Sequence, residues 1–180
     1  MKEIRLEDIR FCQQVMSLVK KVYYNSFPIE ERRAWKNIEY LLSLDDSLYH
    51  IDVIFYDKQF VGFISWWAFA DFNYVEHFAI DSSIRGMGIG TRAISQYIKE
   101  NKKTVVLEVE QSRCGEMAQC RIAFYSRNGF IAHPDFEYIQ PSYGEGLPSV
   151  PMMLMTAGVS GDIDLTYVSQ LLHKVVYGVG

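Results

Sequence analysis

Apolar residues change their spacing several times along the chain, and each change marks an element boundary. Residues 2–6 alternate, which puts Ile4 and Leu6 on one face of a short strand. Asp8 is placed to cap a helix in which Phe11, Val15, Met16, Val19 and Val22 recur with a helical period, ending at Phe27-Pro28. Proline disfavours helix in the residue before it. A second apolar stripe of Trp35, Ile38, Leu41 and Leu42 predicts a helix over residues 30–44. Three strands follow at 50–56, 60–69 and 74–81, joined by segments so short that the pairing must be antiparallel.

Residues 88–101 then read as a helix with Ile89, Ala93, Ile94, Tyr97 and Ile98 inward. The β-branched run at 104–110 predicts a buried strand, and 116–128 a helix closed by Gly129. Strands at 130–139 and 150–156 and a helix at 163–176 complete the chain. There is no repeat, low-complexity tract or linker. The expected fold is α/β: one mixed domain, a mostly antiparallel sheet flanked by helices, with a meander feeding a strand–helix–strand crossover.

Composition narrows the function classes. With 180 residues, 49% apolar and 14% aromatic, the chain can bury a real core and is not disordered. No run approaches the roughly 18 apolar residues of a membrane span; the longest, 60–70, ends at Asp71. The opening MKEIRLEDIR is not a signal peptide, so a cytoplasmic, membrane-free protein is expected. Cys12, Cys114 and Cys120 are odd in number and lack metal spacing, the four histidines are scattered, and no metal is expected. Cys114 has no histidine or aspartate partner in sequence that would make it a nucleophile. A net charge of −4 argues against nucleic acid as partner. Yet residues 81–130 hold 8 basic and 5 acidic side chains between acidic flanks, which suits one compact anionic ligand.

That basic block contains Ile84-Arg85-Gly86-Met87-Gly88-Ile89-Gly90-Thr91, between a strand and a helix. Glycines there let main-chain N–H groups approach a ligand, and the helix start adds free donors and a positive dipole end. With Arg85 and Arg92 beside it, the turn reads as a pyrophosphate site. It is not a dinucleotide fingerprint, because Thr91 takes the sixth position and the strand before it sits in an antiparallel meander. Nor is it a P-loop, since no Gly-Lys-Ser/Thr closes it.

The R-G-x-G-I-G turn after an E-x-F-A-I-D strand resembles the GCN5-related N-acetyltransferase superfamily. A second family-like element, Phe124-Tyr125 followed by Gly129-Phe130, comes about 35 residues later. The resemblance covers residues 1–157 and implies an acyl-CoA N-acyltransferase fold and an N-acetyltransferase domain there; 158–180 would be a helical extension packed on it. It implies transfer of acetyl from acetyl-CoA to the amine of a small molecule or peptide, by direct attack in a ternary complex. Arg85, Gly86, Met87, Gly88, Ile89, Gly90 and Thr91 would then cradle the pyrophosphate. Phe78, Ala79 and Ile80 would lie beside the pantetheine, and Tyr125 would protonate the leaving thiolate. Ala118 stands where the family commonly has asparagine, so Arg121 is the substitute contact, to CoA or to a carboxylate.

The attacking amine needs a base. Strand alternation groups Tyr74, Glu76, Phe78 and Ile80, making Glu76 the lone charge in an apolar row, with a pKa that desolvation would raise. His77 faces the other way unless a bulge intervenes. Phe27, Trp66 and Tyr138 are the acceptor-binding candidates, and the acidic flanks favour a cationic amine. A homodimer is compatible with this reading. The alternative within the same fold is a non-catalytic acyl-CoA sensor or adaptor.

Overall fold

The computed structural model describes residues 3–158 and 163–179; Lys2, residues 159–162 and residue 180, which earlier expectations touch, lie outside the described residues. Strand β1 (Ile4–Asp8) leads to helices α1 (Met16–Ser26) and α2 (Trp35–Ser43) and a meander of β2 (Tyr49–Tyr56), β3 (Gln59–Ala68) and β4 (Phe72–Ile80). Helix α3 (Ile89–Glu100) crosses to β5 (Thr104–Glu110). Then come α4 (Glu116–Arg127), the short β6 (Ile131–Ala132) and β7 (Tyr138–Gln140), β8 (Val150–Ala157) and α5 (Leu165–Leu171).

The strands form one mixed sheet in the order β1-β2-β3-β4-β5-β8-β6, with β7 also on β8. Among the described pairings only β4–β5 is parallel. One face packs on Val19, Val22 and Tyr23 of α1, Trp35 and Ile38 of α2 and Val168 of α5. The other packs on Ile89, Ala93, Ile94 and Tyr97 of α3 and on Ile122, Phe124 and Tyr125 of α4. Alternation in β5 feeds both cores: Val105, Leu107 and Val109 face the α3 side, and Val106 the α1 side.

Several boundaries differ from the sequence pattern. Asp8 caps a 3-10 turn at Ile9–Phe11, and a second follows at Gln13–Val15 before α1 begins. A three-residue turn buries Ile9, Cys12 and Val15 and leaves Phe11, expected in the buried stripe, 87% exposed. The expected strand 130–139 splits into β6 and β7, which pair with opposite ends of β8 around a turn closed by Phe136 N–H on the His133 carbonyl. The expected 30–44 helix begins only at Trp35, because Arg32 and Ala34 are extended and separate it from a 3-10 turn at Ile29–Glu31.

Two irregularities shape the centre of the sheet. Ser65 pairs with His77 but Trp66 with Val75, so Glu76 is an extra residue bulged out of β4. The β4–β5 pairing runs only from Phe72↔Thr104 to Val75↔Leu107, beyond which the two strands separate.

Candidate active site

Two adjoining cavities open where β4 and β5 part, sharing Ser26, Phe27, Phe78, Arg121 and Tyr125 as walls. The outer cleft, about 470 Å³, lies between the end of β4, the start of α3 and the face of α4. Every residue expected to bind the cofactor lines it except Met87, whose side chain is exposed. Gly86 and Gly88 have φ of +83° and +70°, the left-handed region that a side chain disfavours. Gly90 is different: a Cβ there would meet the Ile80 side chain at an ordinary 3.5 Å. Gly88 precedes α3, whose first-turn N–H groups have no partner within the helix and open on this cleft. Arg85 donates to the Ile80 carbonyl at 3.2 Å, which ties the turn to the strand it leaves. Arg92, by contrast, sits over the Tyr56 ring at 5.3 Å, outside the cleft lining.

Tyr125 stands between the cavities, with Phe124 and Phe130 edge-on at 5.2 and 5.4 Å. Burial pushes its phenol above the ordinary value and keeps it protonated. Arg121 is held by Glu110, its Nε donating to Oε2 at 2.6 Å, so its partner in the chain is a carboxylate.

The inner cavity, about 90 Å³, is lined by Glu31, Glu76, Glu108 and Glu110 together with Phe27 and Tyr143. The bulge turns both Glu76 and His77 toward the α1 side, whereas unbroken alternation would have separated them. The Glu76 carboxylate is fully enclosed and meets Arg33 Nη2 at 2.7 Å. Trp67 Nε1–H and the Tyr143 hydroxyl each donate to it at 2.8 Å. Burial pushes its carboxyl up, but the Arg33 charge and the hydrogen bonds from Arg33 and Trp67 outweigh burial and hold it below the ordinary value. This reverses the raised pKa expected from the sequence: Arg33, 43 residues distant in sequence, makes Glu76 a weak base.

His77 is also occupied. Its Nε2–H donates to the Glu31 carbonyl at 2.9 Å, which leaves Nδ1 to accept from Ser65 Oγ at 3.1 Å. Burial lowers its pKa and keeps the ring neutral.

Glu108 is the residue the sequence reading passed over. It is half-buried, and among the described residues no cation pairs with its carboxylate; Tyr138 donates to Oε1 at 2.5 Å and Tyr177 to Oε2 at 2.9 Å. Burial is the main cause that raises it to about 7, against the lowering effect of these hydroxyls. A partial signal was available: Glu108 shares a strand face with Val106, an acid set against an apolar neighbour as Glu76 is, although Glu110 follows it on the same face.

Of the acceptor-binding candidates, Phe27 lines both cavities, and Tyr138 stands behind Glu108 as its hydrogen-bond donor. Trp66 must be corrected. It lies on the α3 side with Ile64, donating to Asp52 at 2.8 Å and stacked on His50, because alternation along β3 puts Phe63 and Trp67 on the opposite, Glu76 side.

Among the described residues no cluster of histidine, cysteine and carboxylates could hold a metal, and no helix is long and apolar enough to cross a membrane. The model of the acetyltransferase (GNAT) family matches residues 12–130. A GNAT-family protein of Bacteroides thetaiotaomicron is 34% identical, with a TM-score of 0.88 over 99% of both chains. YjbC of Bacillus subtilis, named as an acetyltransferase, is 30% identical over 105 residues, 58% of this chain; the chain spans about half, 52%, of that protein's length. A Bacillus subtilis acetyltransferase crystallised in complex with CoA shares the fold at 11% identity, with a TM-score of 0.60 over 89% of this chain and all of that one. With the glycine turn, the parted strands and this family match in agreement, the chain belongs to the GNAT acetyltransferase family.

Proposed function

We propose that this protein moves an acetyl group from acetyl-CoA to the amine of a small molecule or peptide in a ternary complex. Glu108 rather than Glu76 takes the amine's proton, and Tyr125 protonates the leaving thiolate. The observation that carries the reading is the cation-free Glu108 carboxylate on the inner cavity, which adjoins the glycine-turn cleft through the walls they share.

The outer cleft fits acetyl-CoA: the left-handed glycines and the α3 N-terminus suit the pyrophosphate, and Phe78, Ala79 and Ile80 offer a strand edge that β5 does not cover. Acetyl-CoA supplies the activated thioester carbonyl. An ammonium entering the inner cavity gives one proton to Glu108, near half-ionised at neutral pH. The free amine then forms the C–N bond as the C–S bond breaks. Tyr125 passes its proton to sulfur and recovers one from the nitrogen. With Glu76 paired to Arg33 and Glu110 to Arg121, Glu31 and Glu108 still leave the lining acidic, which favours a positively charged acceptor.

An amine panel assayed by released CoA thiol tests this: cationic amines should turn over and anionic ones should not. Tight acetyl-CoA binding without turnover on any amine would instead identify a sensor. Tyr125→Phe should lower kcat about 100-fold, within the range for a lost general acid. Its melting temperature should barely move, because the ring contacts remain; an unchanged kcat would remove Tyr125 from the acid role.

A further inference from the structure

The C-terminal segment makes contacts with the inner cavity that packing alone does not require. Val168, Leu172 and Val176 anchor it in the core. Over Leu172–Val176 the helix widens into a π turn, closed by Tyr177 N–H on the Leu172 carbonyl at 3.1 Å. Such widened turns redirect the chain that leaves them and recur at functional sites. Here the turn delivers two groups to one place. The Val176 carbonyl accepts from Arg33 Nη2 at 2.8 Å, and the Tyr177 hydroxyl donates to Glu108 Oε2 at 2.9 Å.

Tyr177 is also a junction. Its oxygen lies 3.2 Å from the Tyr74 hydroxyl and 3.4 Å from the Tyr143 hydroxyl, and Tyr143 gives its own proton to Glu76 at 2.8 Å. Glu108 and Glu76 are therefore joined by an unbroken chain of phenols. Each phenol carries one proton. While Glu108 is ionised, Tyr138 and Tyr177 point their protons at it. When Glu108 takes a proton it becomes a weaker acceptor with an O–H of its own to place, and one of those hydroxyls is free to turn away. Tyr177 has two other phenol oxygens beside it and can turn without losing a hydrogen bond.

We propose that Tyr177 is a positioning residue for acetyl transfer: its hydroxyl holds the Glu108 carboxylate ionised, and swings toward Tyr74 or Tyr143 when Glu108 accepts the amine's proton. The inference rests on Glu108 as the base. The groups that face Glu108 are Tyr74 and Glu76 of β4, Tyr138 of β7, Tyr143 from the loop after β7, and Tyr177. Arg33 bears on it only through Glu76 and Val176.

The test is the pH profile of kcat/KM on an amine that turns over, with acetyl-CoA saturating. Tyr177→Phe keeps the ring against Tyr143 and deletes one donor to the carboxylate. Its ascending limb should move up by about one pH unit, a tenfold loss below the limb. Replacing Tyr177 with 3-fluorotyrosine, a stronger donor of nearly the same shape, should move the limb down. A uniform loss of rate with the limb in place, or no change in either variant, overturns the proposal. Glu108→Gln separates the two readings. If it removes the limb while the Tyr177 variants leave it unmoved, only the role of Tyr177 falls; if the limb survives Glu108→Gln, the base assignment falls first.

Discussion

Glu108→Gln should lower kcat for acetyl transfer by at least about 100-fold and, at the same time, make the folded protein more stable as the pH rises. The loss of activity follows from removing the group proposed to accept the amine's proton. Acetyl-CoA affinity should stay nearly constant, because Glu108 does not line the outer cleft. The gain in stability follows from the environment that makes Glu108 useful. Burial lifts its folded-state pKa from 4.5 to about 7. Between those values the native state holds a proton that the unfolded chain has released, so this residue's contribution makes stability fall as pH rises. Across the full window the cost is on the order of 3 kcal/mol. Glutamine does not ionise and escapes it. Its amide can accept from one tyrosine and donate to another, since phenol oxygens also accept. Melting temperatures of the two proteins should therefore lie close together near pH 4 and diverge by pH 8, with the variant higher. Parallel curves would mean that Glu108 is not held near neutrality, and would remove it as the base.

The pH window of Glu108 was within reach of the sequence, and the state of Glu76 was not. Both are carboxylates at core-facing positions of largely apolar strands, Glu76 the one acid of β4 and Glu108 followed by Glu110 on the same face of β5, and alternation alone does not tell their states apart. What separates them is Arg33, which reaches Glu76 from the non-helical break, with Arg32 and Ala34 extended, between a 3-10 turn and α2. Helical periodicity ran straight through that break. The bulge at Glu76 was invisible for a related reason: a strand with one extra residue keeps its composition and changes only its register. By contrast the order of elements, the meander and the glycine turn were legible, because they depend on connection length and on residues with special backbone freedom. The π turn that brings Tyr177 to Glu108 left no mark on the apolar spacing, since Val168, Leu172 and Val176 keep a regular interval of four. Local pattern thus located the glycine-turn cleft, while the states of the enclosed carboxylates depend on contacts from three distant parts of the chain.

Arg33→Met should be the most destabilising single change at the site. The guanidinium is nearly enclosed, donates to Glu76 and to the Val176 carbonyl, and lies over the rings of Trp67 and Tyr143 at 5.2 and 5.1 Å. Methionine fills much of the volume but leaves a buried carboxylate with no cation. Losing one partner of such a pair costs about 3–5 kcal/mol, mostly the penalty of the stranded charge. Adding Glu76→Gln should restore a large part of that loss, because the charge is then removed with its partner; a double-mutant cycle by urea denaturation measures the coupling. The pH dependence gives an independent sign. In the native pair Glu76 lies below its ordinary pKa, so its stabilising contribution is present above the unfolded value and fades as pH falls through the folded one. Without Arg33 the burial that already pushes this carboxyl up is unopposed by a full charge, and its pKa should rise above the unfolded value. The deficit of Arg33→Met relative to the native protein should then be large at pH 8 and shrink toward pH 4. A deficit that is the same at both pH values, and unrelieved by Glu76→Gln, would show that Arg33 matters for its packing and its bond to Val176 rather than for the charge it neutralises.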